Sequence, residues 1–296
     1  MQMSEELRRE VQMMELDILK EFQRICADHD LRYFAIGGTC LGAVRHKGFI
    51  PWDDDIDVAM PFEDYSRFQK IAGRELQEPY EIINPVEHRA CTFPFIKMYR
   101  SDTAFIEKAR ENRPESYFGI FIDIMPIFGL PVDKKERDRV YRESSLYIRQ
   151  NRFNRLSFAE TKSVPQKLMW MTCVRGRASG DPCYYLKKLN ALGQRCDFEA
   201  AQEILFAWRS IYYNKKKTYK REFDKYVFRD YCELPFEDTV IRVPVEYDSY
   251  LTRDFGDYMK LPPEEKRVTV HPAAIIDLHK SCRAYAEEYR QHKKKA

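Results

Sequence analysis

Four carboxylates fall within five positions of this chain, Asp53, Asp54, Asp55 and Asp57 in the run DDDID. The run continues directly into Val58, Ala59 and Met60. Charge packed against apolar residues is costly unless a cation or hydrogen bonds compensate it. If Asp54–Met60 is a strand, residues two apart share a face, so Asp55 and Asp57 point together and Ile56 and Val58 point the other way. Two carboxylates on one face repel unless a hard cation bridges them, and an all-oxygen ligand set suits Mg²⁺, with Mn²⁺ as the close substitute. Asp53 and Asp54 are read as shaping the preceding turn or hydrogen-bonding nearby groups. A solvated acidic turn is the plain alternative, disfavoured by the apolar continuation. An EF-hand is excluded because its spaced carboxylates, central Gly and closing Glu are missing. A third acid stands in GIFIDIMPIFGLP, residues 119–131, a strand-like run of unusual apolarity. Asp123, the lone charge there, needs an ion pair or a metal. Asp55, Asp57 and Asp123 are therefore the candidate catalytic and metal-binding residues.

Those carboxylates need elements to hold them. A short strand over 31–36 breaks at Gly37-Gly38, and Thr39 is placed to cap a helix running to about His46. Strand, small residues and helix N-terminus together form an arrangement that takes phosphate, because backbone N–H groups and the helix dipole favour an anion. Gly37, Gly38 and Thr39 are assigned there. Arg45, His46 and Lys47 follow as charge able to neutralise a diphosphate. Lys97, on a strand over 93–99, either carries its ammonium out to solvent or aims it at a phosphate. Apolar residues Leu7, Val11, Met14, Ile18, Phe22 and Ile25 predict an amphipathic helix over 4–29, with Ser4 as its cap. A helix over 62–76, a strand over 80–83 and a last helix over 273–292 complete the reading. GRASGDP, 176–182, is the best loop, and the KKK run at 215–217 fits a surface turn.

The 296 residues are 44% apolar, enough for a real core, and the net charge is only +3. That balance hides an asymmetry. Residues 137–230 hold 21 Lys/Arg against 10 Asp/Glu, or +11, and the remainder is −8. The basic region suits an anionic substrate or solvated helix faces. No RRM, KH or zinc-finger pattern is present, so no nucleic acid partner is expected. The eight cysteines include no CxxC pair, as in a reducing compartment. No basic-then-apolar leader opens the sequence and no apolar run approaches a membrane span. The expectation is a cytoplasmic protein, free or peripheral at the inner membrane face. Tyr247, Tyr250, Phe255 and Tyr258 are dense near the end, as packing or as a cage for a quaternary ammonium.

GGTCLGAVRHKGFIPWDDDIDVAM closely resembles the signature of LicD-type proteins, a group that includes fukutin and the fukutin-related proteins. GIFIDIMPIFGLP and VPVEYDSYLTRDFGDYMKLPPEEKR resemble the second and third blocks of that family, in order. The resemblance covers roughly 20–270 but leaves 137–230 without a matching motif. It implies an α+β fold of the nucleotidyltransferase superfamily, like DNA polymerase beta: a mixed sheet with flanking helices, here followed by a largely helical C-terminal half. Residues 1–133 would form the catalytic core and 134–296 a mostly helical substrate-binding region, with 242–266 packing back. Gly37-Gly38 would be the glycine motif, Asp55 and Asp57 the Asp-x-Asp pair, and Asp123 the third acid.

The resemblance further implies a phosphocholine-transferase-like enzyme. Its donor would be a CDP-alcohol such as CDP-choline, its acceptor a hydroxyl of a glycan or lipid-linked glycan, its cofactor Mg²⁺ or Mn²⁺, and its leaving group CMP. Asp123 would be the first choice of base. A nucleotide-sugar glycosyltransferase also uses Asp-x-Asp, but only 54 residues precede Asp55 here. A plain nucleotidyltransferase and a non-catalytic binding protein are the other readings.

Overall fold

The computed structural model describes residues 3–154, 158, 161–212, 222–268 and 271–295. Its centre is β6 (Phe121–Leu130), buried at all ten positions. One edge of β6 pairs in parallel with β2 (Asp57–Pro61). On the other edge its first half pairs with β4 (Ile96–Arg100), and its second half with β7 (Glu203–Phe206), both antiparallel. A strand twice the usual length thus serves as the spine for three neighbours. β1 (Phe34–Ala35), β3 (Tyr80–Ile83) and β8 (Glu222–Asp224) extend the sheet to seven strands.

Side chains alternate across this spine. Ile122, Ile124 and Phe128 point to one face. There Phe62 of α3 (Phe62–Glu75) meets Phe128 edge-on at 5.5 Å, and Phe22 of α1 (Glu5–Asp28) meets Phe68 at 5.1 Å. The two helices therefore share that face. Val11, Ile18, Phe22 and Ile25 of the α1 stripe are wholly buried, each stabilising the fold by about 1.5–3 kcal/mol. Ser4 caps α1 as expected, its Oγ accepting from the Leu7 N–H at 3.2 Å. The opposite face carries Phe121, Asp123 and Met125. Phe105 of β5 (Ala104–Glu107) covers it, 5.4 Å from Phe121, and β5 is paired with β11 (Ala273–Asp277).

Helix follows β6 as expected: α4 (Lys134–Asn154), α5 (Val164–Met171), α6 (Val174–Ala178) and α7 (Tyr184–Gly193). The helical C-terminal half then stops short of the expectation. β7 and β8 rejoin the central sheet, and β9 (Tyr231–Phe236) and β10 (Thr239–Pro244) form a hairpin. α8 (Tyr247–Phe255) comes next. The helix expected over 273–292 is corrected as well. Ala273–Asp277 is β11, drawn to the open edge of β5, and α9 (Cys282–Lys295) starts only afterwards. β-branched Ile275 and Ile276 favour that strand. Of the expected GRASGDP loop, Gly176 to Ala178 belongs to α6. The KKK run lies outside the described residues. Among the described residues no helix is long and apolar enough to cross a membrane.

Candidate active site

Three neighbouring strands set three charges abreast. Asp57 is in register with Asp123, and Asp123 with Lys97. Residues directly opposite on adjacent strands project from the same face, so β2, β6 and β4 present Asp57, Asp123 and Lys97 as one row. The Lys97 Nζ donates to Asp123 Oδ1 at 2.5 Å, and the two side chains are only 4% and 7% exposed. The ammonium also lies 3.4 Å from the Phe121 ring centroid and between 5.2 and 5.7 Å from those of Phe93, Phe95 and Phe118. Lys97 therefore neither reaches solvent nor stands free for a phosphate. It is the fixed counter-charge of Asp123, walled in by phenylalanines.

β2 begins only at Asp57, so Asp55 sits on its approach. His271, immediately before β11, meets this approach from outside the sheet. Its Nδ1 lies 3.5 Å from Asp54 Oδ1 and 3.8 Å from Asp55 Oδ2, and its backbone N–H donates to Asp54 Oδ2 at 3.3 Å. Asp54, Asp55 and His271 each offer an atom within 4.8 Å of the others, a group able to hold a metal ion. Asp54 is wholly buried and accepts the His271 N–H, so of its two expected roles it fills that of hydrogen-bonding nearby groups.

The electrostatics are strongly unbalanced. Burial pushes Asp57 well above the ordinary carboxylate range. The charges of Asp55, Asp123 and Asp53 push it further, and Lys97 opposes them. Burial likewise raises Asp53, Asp55 and Asp123, with His271 and Lys97 pulling the latter two back. Burial disfavours the charged form of His271, yet the hydrogen bond to Asp54 and the charges of Asp55 and Asp54 lift it to about 9. Asp57 Oδ1 is buried without a hydrogen-bond partner. A buried, unpartnered carboxylate oxygen among other carboxylates leaves a place for positive charge.

Gly37 and Gly38 open α2 (Gly37–His46) directly, after Ile36 in the cap position. Gly37 has φ +56°, and a Cβ there would come within 3.4 Å of Asp57 Oδ2. A Cβ on Gly38 would run into the Asp53 carboxylate. The glycines thus let the helix start press against the acids, with the Asp53 carboxylate lying against Gly38. Thr39 is not the cap. Its Oγ1 accepts from the Asp57 N–H at 2.8 Å, tying α2 to β2. Arg45, His46 and Lys47 end α2, about 12 Å along the axis from Gly37. Arg45 donates there to the Tyr258 carbonyl at 2.7 Å, and Lys47 adopts the left-handed C-cap conformation, φ 58°. The structure does not bring this triplet into the carboxylate row.

Sequence reasoning missed Glu15 and Arg209, and read Tyr250 only as packing or cage where it also holds the glycine turn. Glu15 of α1 is buried and its Oε2 has no partner. Burial raises it well above the usual range, and Asp55, Asp54 and Asp53 raise it further. It broke the apolar stripe of α1, the one signal available. Arg209 is held by Asp254 through two hydrogen bonds of 3.1 and 2.6 Å, and its charge is felt at Asp57. It lay in the basic stretch that matched no motif. Tyr250 is wholly buried, and its Oη accepts from the Gly37 N–H at 2.8 Å. Its ring packs on Phe223 and Phe228, and the Tyr258 hydroxyl is bound to Asp248. Tyr250 therefore positions the glycine turn and forms no open cage.

The sequence matches the family described as LicD/FKTN/FKRP, nucleotidyltransferase domain, over residues 30–173. It is 30% identical over 277 residues to the lipopolysaccharide cholinephosphotransferase LicD of Haemophilus influenzae, covering 89% of this chain and 95% of that one. A 45-residue stretch is 42% identical to the ribitol 5-phosphate transferase FKRP of mouse and of human, 15% of this chain and 9% of theirs.

Proposed function

The chain belongs to the LicD family and is a LicD-type transferase, and from that premise we propose that it moves a phosphorylated alcohol of the phosphocholine kind from a CDP-alcohol to a glycan hydroxyl, releasing CMP. The acceptor in this reading is a cell-surface glycan or its precursor, free or lipid-linked. The observation that carries the chemistry is the row of half-buried Asp57 and buried Asp123 with half-buried Asp55 beside it, a set of carboxylates short of positive charge.

In this reading Mg²⁺ or Mn²⁺ would take oxygen ligands from Asp55, Asp57 and Asp123, with the unpartnered Asp57 Oδ1 open to it and Asp54 and His271, which group with Asp55, at the margin. Bound there, such an ion would screen the diphosphate and stabilise charge on the attacking and leaving oxygens. The chain supplies the rest. Arg209, immobilised by Asp254 and sensing the charge of Asp57, would offer a guanidinium for the phosphate oxygens. Tyr250 and Thr39 hold the start of α2 against β2. The acceptor oxygen attacks the phosphorus bearing the alcohol, the bond to the CMP oxygen breaks, and the hydroxyl proton passes to a carboxylate. Asp123 is the proposed base, its Oδ1 fixed by Lys97.

In this reading the sheet is nucleotidyltransferase-like, 1–133 supplies the carboxylates, and 134–296 contacts substrate while adding β7 and β8 to the same sheet. In this reading Arg209 and Tyr250 are what the later part lends to catalysis. The experiment is mass spectrometry of the protein incubated with Mg²⁺ and a panel of CDP-alcohols and nucleotide sugars. Released CMP supports the proposal. Nucleoside diphosphate released from a sugar donor instead would replace it with glycosyl transfer.

A further inference from the structure

The helices after α4 carry a surface that the proposed chemistry does not use. Val164, Leu168 and Met171 lie at steps of four and three on α5, one face of the helix, and Val174 at the start of α6 continues the row. They are 70%, 58%, 56% and 60% exposed, and Phe158 beside them is 47% exposed. The other side of this segment is anchored. The Thr172 carbonyl accepts from Gln150 Nε2 of α4 at 3.1 Å, Cys173 is buried, and the Trp170 ring lies 5.2 Å from Phe158 with the Arg177 guanidinium 3.7 Å from its centre. Side chains of this size left in water together make an apolar patch that marks an interaction site.

The charge around the patch identifies the occupant. From Thr161 to Gly180 the chain carries four Lys/Arg and no Asp/Glu. Lys162, Lys167 and Arg175 are exposed beside the apolar row. A second copy of this chain is a poor match, because an isologous contact would set this cationic patch against itself. A short apolar row rimmed by lysine and arginine is the composition of an element lying in the plane of an anionic bilayer surface. We propose that α5 and the start of α6 dock the protein on anionic membrane, with Val164, Leu168, Met171 and Val174 entering the headgroup boundary and Lys162, Lys167 and Arg175 contacting lipid phosphates. The docking is independent of which group the enzyme transfers.

The test is co-sedimentation of the full chain with phosphatidylcholine vesicles and with vesicles that also contain phosphatidylglycerol. The expected result is binding to the anionic vesicles alone, weakening as salt is raised. Leu168→Glu with Met171→Glu should lower that binding by roughly tenfold or more, whereas Val132→Glu, exposed elsewhere, should not. Both variants should keep the wild-type circular dichroism, since the altered side chains are exposed. CMP release with a water-soluble acceptor should be the same in all three proteins, which separates this surface from the catalytic reading. Wild-type protein left in the supernatant with both vesicles would overturn the proposal. So would undiminished binding by the double variant, or a wild-type oligomer that the double variant dissolves.

Discussion

Replacing Lys97 by Met tests whether the row of charges is wired as described. The substitution keeps most of the side-chain volume and its aromatic contacts but removes the ammonium from Asp123. Asp123 would then face Asp57 across the strand pair with no cation beside it. Removing one partner of a buried ion pair costs about 3–5 kcal/mol. For a chain of this size about 2 °C of melting temperature accompanies each kcal/mol, so Lys97→Met should melt about 6–10 °C lower in chelator. Asp123→Asn added to Lys97→Met should recover most of that loss, because the uncompensated charge is gone. Millimolar Mg²⁺ or Mn²⁺ should raise the melting point of Lys97→Met more than that of the wild type. Thermal unfolding followed by far-ultraviolet circular dichroism measures all of these. A melting point for Lys97→Met within about 1 °C of wild type would refute the reasoning, as would losses from the two substitutions that simply add.

Tyr250→Phe removes the acceptor of the Gly37 N–H, a loss of about 1–3 kcal/mol in urea unfolding, and should lower kcat for CMP release. Gly38→Ala pushes a Cβ into the Asp53 carboxylate and should cut kcat at least roughly tenfold while helix content, by circular dichroism, is retained. Glu15→Gln should stabilise the metal-free protein at neutral pH. Burial and the neighbouring carboxylates raise the folded-state pKa of Glu15 well above its ordinary value, so the acid contributes fully below that ordinary pKa and the contribution is lost as pH rises through the folded value; wild type and variant should therefore converge below about pH 4.5. Urea midpoints across pH check this, and a variant less stable at pH 7 than at pH 4 relative to wild type would oppose it. Arg209→Lys cannot keep the two-pronged contact with Asp254 and should lose roughly tenfold in kcat/KM.

Much of the catalytic strand framework was legible. Apolar runs broken by single charges gave β2, β4 and β6, since only a buried strand tolerates such a pattern, and Tyr80–Ile83 fell where expected. The spacing of Asp55, Asp57 and Asp123 pointed to one site, and the β2–β6 register sets two of them side by side. Sequence spacing failed where contacts are distant. Nothing near His271 announces a partner 217 residues away. Tyr250 and Arg209 gain their meaning only when α8 and β7 close on the central sheet. The Arg45–Lys47 triplet looked able to neutralise a diphosphate by proximity in sequence, but ten residues of helix carry it to the far end of α2. Lys97 could not be assigned from alternation alone, because a cage of four phenylalanines from β4, β6 and their loops holds it. β11 depends on the open edge of β5, which local helical spacing does not reveal.

The central claim is that Asp57, beside Asp123, forms a metal-dependent phosphoryl-transfer site. Mass-spectrometric measurement of CMP released from CDP-choline, with a glycan acceptor and Mg²⁺, by wild type and Asp57→Asn tests it most directly. The expected result is release by the wild type, reversible loss in chelator, and release by the folded variant at least roughly a thousandfold lower. Undiminished CMP release by Asp57→Asn, or full wild-type activity in chelator, would contradict it.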